Sequence, residues 1–169
     1  MPRIYVETYG CQMNVADSEL VFGILDREGY VRCDDPAQAD VVLVNTCAVR
    51  DHAEQRVLSR MGELKRFKRP GGVLGVIGCM AQRLGAKLLE RVPQVDLVIG
   101  PDAYRSLPEL IARARTGGRA ADVQFRGWEH YEDVPPVRAA SASASGCSSA
   151  RRMWISSSGR TATGSCPSW

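Results

Sequence analysis

Four short apolar runs recur along the chain: Ile4–Tyr9, Val41–Asn45, Val73–Gly78 and Leu97–Ile99. They are rich in β-branched residues and apolar on both sides of the alternation, the pattern of strands covered on both faces of a parallel sheet. The segments between them carry helical spacing. Val15–Glu28 places Leu20, Val21, Ile24 and Leu25 on one stripe, with Gly29 positioned to end the helix. Asp51 with Glu54 reads as a capping box opening a second helix to about Lys68, closed by Pro70-Gly71-Gly72. Ala81–Arg91 is a third helix, stopped before Pro93, and Ala103–Ala114 a fourth, with Pro108 in its first turns and Gly117-Gly118 beyond it. A last strand is predicted at Val123–Phe125. The alternation predicts an α/β fold: an open, mostly parallel sheet of four to five strands with right-handed crossovers and helices on both faces, Rossmann- or flavodoxin-like.

The character of the chain changes after Arg138. Residues 139–169 hold ten Ser and six Ala with few apolar residues, too little to offset the entropy of ordering. The expected organisation is one α/β domain over residues 1–136 and a disordered tail over 137–169. The length of 169 residues suits a single domain, and 44% hydrophobic with 24% charged residues is a soluble, globular composition. No apolar run approaches the roughly 20 residues that span a bilayer. Met1-Pro2-Arg3 leads straight into a strand, so no secretory signal is expected and the cytoplasm is the default address. In a reducing compartment six cysteines point to a metal or catalytic site rather than to disulfides.

The net charge of +3 would suggest nucleic acid, but its distribution does not. Residues 1–138 carry 19 Lys and Arg against 19 Asp and Glu, and the excess is Arg151, Arg152 and Arg160 in the tail.

Three cysteines share one structural slot. Cys11 follows the first strand within TYGCQMN, Cys47 the second within VNTCAVR, and Cys79 the third within VIGCMAQ. Ligands of open α/β sheets bind outside the carboxyl ends of the strands, and parallel strands bring those ends to one edge. Thiols 36 and 32 residues apart in sequence are therefore expected to converge. Each stands at or just before a helix N-terminus, where the dipole and free N–H groups favour thiolate. Thiolates select iron–sulfur clusters, zinc or Cu(I). A structural zinc wants a fourth protein ligand that is not evident, whereas three ligands on a cubane leave one iron open. Cys is also a common packing residue at strand ends, but three in one slot argue against that explanation. Cys33, in YVRCDD, matches no strand end and reads as packing.

Other signals divide between roles. Asn14, Asp17, Ser18 and Glu19 enter the first helix beside Cys11, either as caps or as neighbours of a cluster. Asn45 and Thr46 either donate hydrogen bonds to cluster sulfurs or close the strand–helix turn. Lys65-Arg66-Phe67-Lys68-Arg69, with Arg56 and Arg60 upstream, is a solvated helix face or an RNA-backbone contact. His52 and His130 have no partner for catalysis. Gly72, Gly75 and Gly78 lie along a strand, not in a dinucleotide fingerprint.

The three cysteine contexts, with DSE at Asp17–Glu19, NTCAVRDHAEQRV from Asn45 to Val57, and GCMAQ from Gly78 to Gln82, resemble the N-terminal domain of the methylthiotransferases, radical S-adenosylmethionine enzymes, over roughly residues 3 to 136. Gln12-Met13 resembles the bacterial tRNA branch; the branch acting on a ribosomal protein more often shows Pro-Lys. The resemblance implies a tRNA substrate carrying isopentenyladenosine beside the anticodon, a 2-methylthio product, and an auxiliary four-iron four-sulfur (4Fe-4S) cluster on Cys11, Cys47 and Cys79. It also implies S-adenosylmethionine, a second 4Fe-4S cluster bound through C-x-x-x-C-x-x-C, and an electron donor. That motif belongs shortly after Pro135-Pro136, but Cys147 is followed by SSARRM and the next cysteine is Cys166. The C-terminal RNA-binding domain of the family is missing too. Residues after about Arg138 are therefore read as a frame-shifted or aberrant tail. The alternative is a non-catalytic iron–sulfur module.

Overall fold

A computed structural model describes residues 1–47, 51–124 and 133–137, with backbone alone at 51–54. The described elements are β1 (Arg3–Tyr9), α1 (Gln12–Arg27), β2 (Val31–Arg32), β3 (Val41–Thr46), α2 (Asp51–Leu64), β4 (Val73–Ile77), α3 (Cys79–Leu84), α4 (Ala86–Arg91), β5 (Leu97–Ile99), α5 (Leu107–Arg115) and β6 (Ala120–Asp122). The strands form one sheet in the order β2-β1-β3-β4-β5-β6, every pairing parallel.

Every residue of β3, β4 and β5 is buried, as their unbroken apolar runs require. The two-residue alternation sorts them between two cores. Val41, Leu43, Ile77, Leu97 and Ile99 pack with Val21 and Leu25 of α1 and Leu107 and Ile111 of α5. Val42, Val44, Leu74, Val76 and Val98 pack with Val57, Met61 and Leu64 of α2 and with Met80 and Leu88 on the short helices. Helices thus cover both faces. Among the described residues no helix is long and apolar enough to cross a membrane.

Several boundaries differ from the sequence pattern, each for a local reason. The last strand is Ala120–Asp122, not Val123–Phe125: its pairing with β5 outweighs a composition of two alanines and an aspartate. Val123 instead packs against the second core, and Phe125 lies outside the described residues. β2 is too short to leave a periodic signal and raises the strand count among the described residues to six. The helix expected over Ala81–Arg91 is two helices, broken at Gly85, whose φ of +54° no side chain adopts readily. The fourth helix opens as a 3₁₀ turn over Pro101–Ser106, and Pro108 sits in the first turn of α5. The side chains of the Asp51–Glu54 box, His52 among them, lie outside the described residues, as does His130; of the tail expected over 137–169, only Val137 is described.

Residues 133–137 strap across α1. Asp133 meets Arg27 and Arg105, Val134 is buried in the first core, and the Val137 N–H donates to the Glu19 carbonyl at 3.2 Å. Gly23 makes room for the strap, since a Cβ there would lie 2.4 Å from the Pro135 carbonyl oxygen. Gly23→Ala is therefore expected to destabilise by about 1 kcal/mol, overpacking of about 2 kcal/mol outweighing the helix-propensity gain of about 1. Gly62→Ala, in α2 with nothing within 4 Å of its Cβ, is expected to stabilise instead. Urea midpoints of the two variants check the pair of signs.

Candidate metal centre

The strand order reverses between β1 and β3, and that switch point is where an open α/β sheet leaves a crevice at its carboxyl edge. Cys11 follows β1 and caps α1, Cys47 follows β3, and Cys79 opens α3 after β4. The sheet thus delivers the three predicted ligands to adjacent strand ends flanking the crevice. All three are free thiols; Cys11 is exposed, while Cys47 and Cys79 are half-buried.

The three thiols act on one another electrostatically. Backbone N–H groups of Met13 and Asn14 hold the Cys11 thiol below its usual range, with a smaller contribution from the Cys47 side chain. Burial pushes the Cys79 thiol up, and the negative charges of Asp17, Cys47 and Cys11 add to that rise. Among the described residues, no three His, Cys, Asp or Glu side chains are drawn together tightly enough to hold a single metal ion. A cubane attaches each thiolate to a different iron, so its ligands stand farther apart than those of one ion. The donor set, three soft thiols on one edge, fits such a group.

Two glycines let the turns close in. Gly10 has φ +145°, and a Cβ there would fall 2.3 Å from Asn14 Oδ1 and 2.8 Å from Cys47 Cβ. Gly78 has φ +93°, and its Cβ would fall 2.5 Å from Asn45 Oδ1 and 2.8 Å from the Thr46 carbonyl oxygen. Beneath the thiols lies a buried polar cluster. Asn14 Oδ1 accepts from the Cys11 N–H at 3.3 Å and from its thiol at 3.5 Å, and Asn14 Nδ2 donates to Asn45 Oδ1 at 3.1 Å. Asn45 Nδ2 donates to the Asn14 carbonyl at 2.7 Å and to Ser18 Oγ at 2.9 Å. Ser18 Oγ also lies 2.7 Å from Thr8 Oγ1, and the Thr46 hydroxyl donates to the Ile77 carbonyl at 3.2 Å.

Asn14 completes the capping box of α1, accepting the N–H of the N-cap residue Cys11. Asn45 and Thr46 bond protein groups and so fasten the turns. Burial raises the Asp17 carboxyl above its usual range, partly offset by the Tyr104 hydroxyl that donates to it at 3.4 Å. Cys33 packs as expected, its sulfur near the carbonyls of Ile4 and Asp35 at 3.5 and 3.6 Å. Of the basic run, Lys68 pairs with Asp96 at 2.6 Å and Arg69 donates to the Ala37 carbonyl.

One feature was not legible from sequence spacing. Arg60 of α2 grips Glu7 of β1 through Nε at 2.9 Å and a second nitrogen at 3.1 Å, while Tyr5 and Tyr9 donate their hydroxyls to the same carboxylate. Burial raises Glu7, but the Arg60, Tyr9 and Tyr5 hydrogen bonds outweigh it and leave the carboxyl below its usual range. Tyr9 also anchors the site, because its carbonyl accepts the Cys47 N–H at 3.1 Å. A groove of about 550 Å³ beside it is lined by Tyr9, Gln55, Arg56, Ser59, Arg60 and Glu63.

These features define a parallel α/β domain that carries three thiols at adjacent strand ends by its switch point. Residues 3–100 match the model of a family described as uncharacterized protein family UPF0004, and the chain belongs to that family. Its relatives include the tRNA-2-methylthio-N(6)-dimethylallyladenosine synthase of Amoebophilus asiaticus, 49% identical over 138 residues, which cover 80% of this chain and 28% of the relative. The enzyme of the same name from Chloroherpeton thalassium is 46% identical, with 80% of this chain and 31% of the relative covered. The human mitochondrial tRNA methylthiotransferase CDK5RAP1 is 44% identical over 149 residues, 85% of this chain and 25% of the relative. The chain thus spans a quarter to a third of the length of these relatives, and the resemblance to the methylthiotransferases drawn from the cysteine motifs stands.

Proposed function

We propose that this chain is the auxiliary-cluster domain of a tRNA methylthiotransferase, with Cys11, Cys47 and Cys79 as the three ligands of a 4Fe-4S cluster. The observation that carries the reading is the placement of three free thiols at adjacent strand ends around one switch point. Relatives named for 2-methylthio-adenosine synthesis in tRNA favour tRNA over a ribosomal protein as the substrate, in agreement with Gln12-Met13. The reaction would be the addition of a methylthio group to isopentenyladenosine beside the anticodon, in the cytoplasm.

When bound, a cluster with three thiolate ligands supplies one iron open to an external sulfur ligand. The chain's own residues prepare for it. The Met13 and Asn14 N–H groups stabilise the Cys11 thiolate, Asn14 fixes the turn that presents it, and partial burial of Cys47 and Cys79 limits water at the thiols. S-adenosylmethionine, a second cluster and an electron donor would act from a separate segment or chain, since Cys147 does not open a C-x-x-x-C-x-x-C motif. That last fact favours a second reading, a non-catalytic cluster module, for the chain acting alone.

Anaerobic reconstitution with iron and sulfide, then incubation with S-adenosylmethionine, a reductant and isopentenylated tRNA, tests the proposal. The chain is expected to take up one cluster and form no methylthio product by itself. Product formation by the chain alone would contradict the division of labour, and failure to take up a cluster would overturn the ligand assignment.

A further inference from the structure

Asn45 is fully buried at the carboxyl end of β3, a place where an apolar side chain would pack without polar demands. Its amide is almost completely used: Nδ2 donates to both the Asn14 carbonyl and Ser18 Oγ, and Oδ1 accepts from Asn14 Nδ2. One of these partners leads directly to a cysteine. Through Asn14, whose Oδ1 holds the Cys11 N–H, Asn45 is linked to the first turn. Along its own strand it stands two residues before Cys47. Against Cys79 its contact is steric, since Asn45 Oδ1 occupies the space that a Cβ on Gly78 would need, 2.5 Å away. Its neighbour Thr46 adds a hydroxyl bond to the Ile77 carbonyl, immediately before Gly78.

We propose that Asn45 is the positioning residue that locks the turns bearing Cys11, Cys47 and Cys79 into one mutual arrangement; the proposal rests on the reading of those thiols as cluster ligands. Hydrogen-bonded cores of this kind are specific because each donor has one place to go. A buried amide bonded on both edges resists the shift of one turn against another, which an apolar side chain would allow. Ser18 and Thr8 extend the hydrogen-bonded brace to α1 and β1, while Asn45 Oδ1 packs against Gly78, the residue before Cys79.

The test compares Asn45→Ala with Val44→Ala, its fully buried neighbour on the same strand, which belongs to the apolar core of the opposite face. Both variants of the full chain are reconstituted anaerobically, and folding is followed by circular dichroism. The readouts are the electron paramagnetic resonance spectrum of the reduced cluster and the rate at which a chelator strips its iron. Asn45→Ala is expected to change the spectrum and to lose iron on the order of ten-fold faster, the usual cost of removing a residue that orients metal ligands. Val44→Ala is expected to keep the wild-type spectrum and rate at whatever stability it retains. A folded Asn45→Ala variant with the wild-type spectrum and stripping rate overturns the proposal. Should Asn45→Ala fail to fold, Ser18→Ala decides, because it removes one arm of the brace: iron loss faster than in Val44→Ala supports the lock, and an equal rate refutes it. A wild-type chain that takes up no cluster would instead defeat the ligand assignment, and the lock with it.

Discussion

Replacing Cys47 by alanine is expected to reduce the iron retained after anaerobic reconstitution from about four atoms per chain to well under one, with loss of the visible absorbance of the cluster. The reason is geometric. Cys47 is the middle member of the trio, following the strand that lies between those leading to Cys11 and Cys79. Its Cβ packs against the Gly10 turn that leads into Cys11, and its charge adds to the rise at Cys79. Removing it leaves two thiols on strands that are not neighbours, β1 and β4, with too few ligands to retain a cubane. Cys33→Ser is the matched control. Burial raises the Cys33 thiol, and its sulfur lies by the Ile4 and Asp35 carbonyls, so this variant is expected to keep the full complement of iron. Equal iron in the two variants would show that Cys47 is not a ligand.

Arg60→Met is expected to cost about 2 kcal/mol of folding stability at neutral pH, read from urea unfolding of the apo protein. The Arg60 and Glu7 side chains are only 26% and 17% exposed, so removing the guanidinium leaves a half-buried carboxylate without its counter-ion. Breaking a fully buried pair costs about 3–5 kcal/mol, and access to water from one side reduces that figure. Glu63, 60% exposed, also pairs with Arg60, and Glu63→Gln is expected to cost less than about 0.5 kcal/mol. The pH dependence follows from Glu7, whose carboxyl lies below its ordinary value of 4.5 in the folded state. A depressed carboxylate contributes stability that is complete above the unfolded value and is lost as pH falls through the folded one. The gap between wild type and Arg60→Met should therefore be full at pH 7 and shrink below about pH 4.5. A gap that persists unchanged into acid would show that packing of the arginine stem, not its charge, is responsible.

What the sequence disclosed and what it hid divide along physical lines. β3, β4 and β5 were legible because strands buried on both faces must be apolar throughout, and Cys47 and Cys79 because they follow two of those runs, whereas Cys11 follows β1, of which only Ile4 is buried. β2 and β6 were not. One has two residues and the other is Ala-Ala-Asp, and both exist because a neighbouring strand offers hydrogen bonds rather than because of their own preference. The break at Gly85 was visible as a glycine, but helical spacing on both sides of it suggested continuity. At the site, the motifs marked Asn14 and Asn45 as polar residues near cysteines. That they bond one another across 31 residues, and that Arg60 finds Glu7 across 53, depends on which strands lie side by side. Spacing along one chain segment carries no record of that.

The most direct test of the account is Mössbauer spectroscopy of the chain reconstituted anaerobically with isotopically enriched iron. The account requires a single cubane in which one iron is distinguishable from the other three by lacking a cysteine ligand. A lone iron in a thiolate site, a cluster whose irons are all alike in ligation, or no bound iron would contradict it.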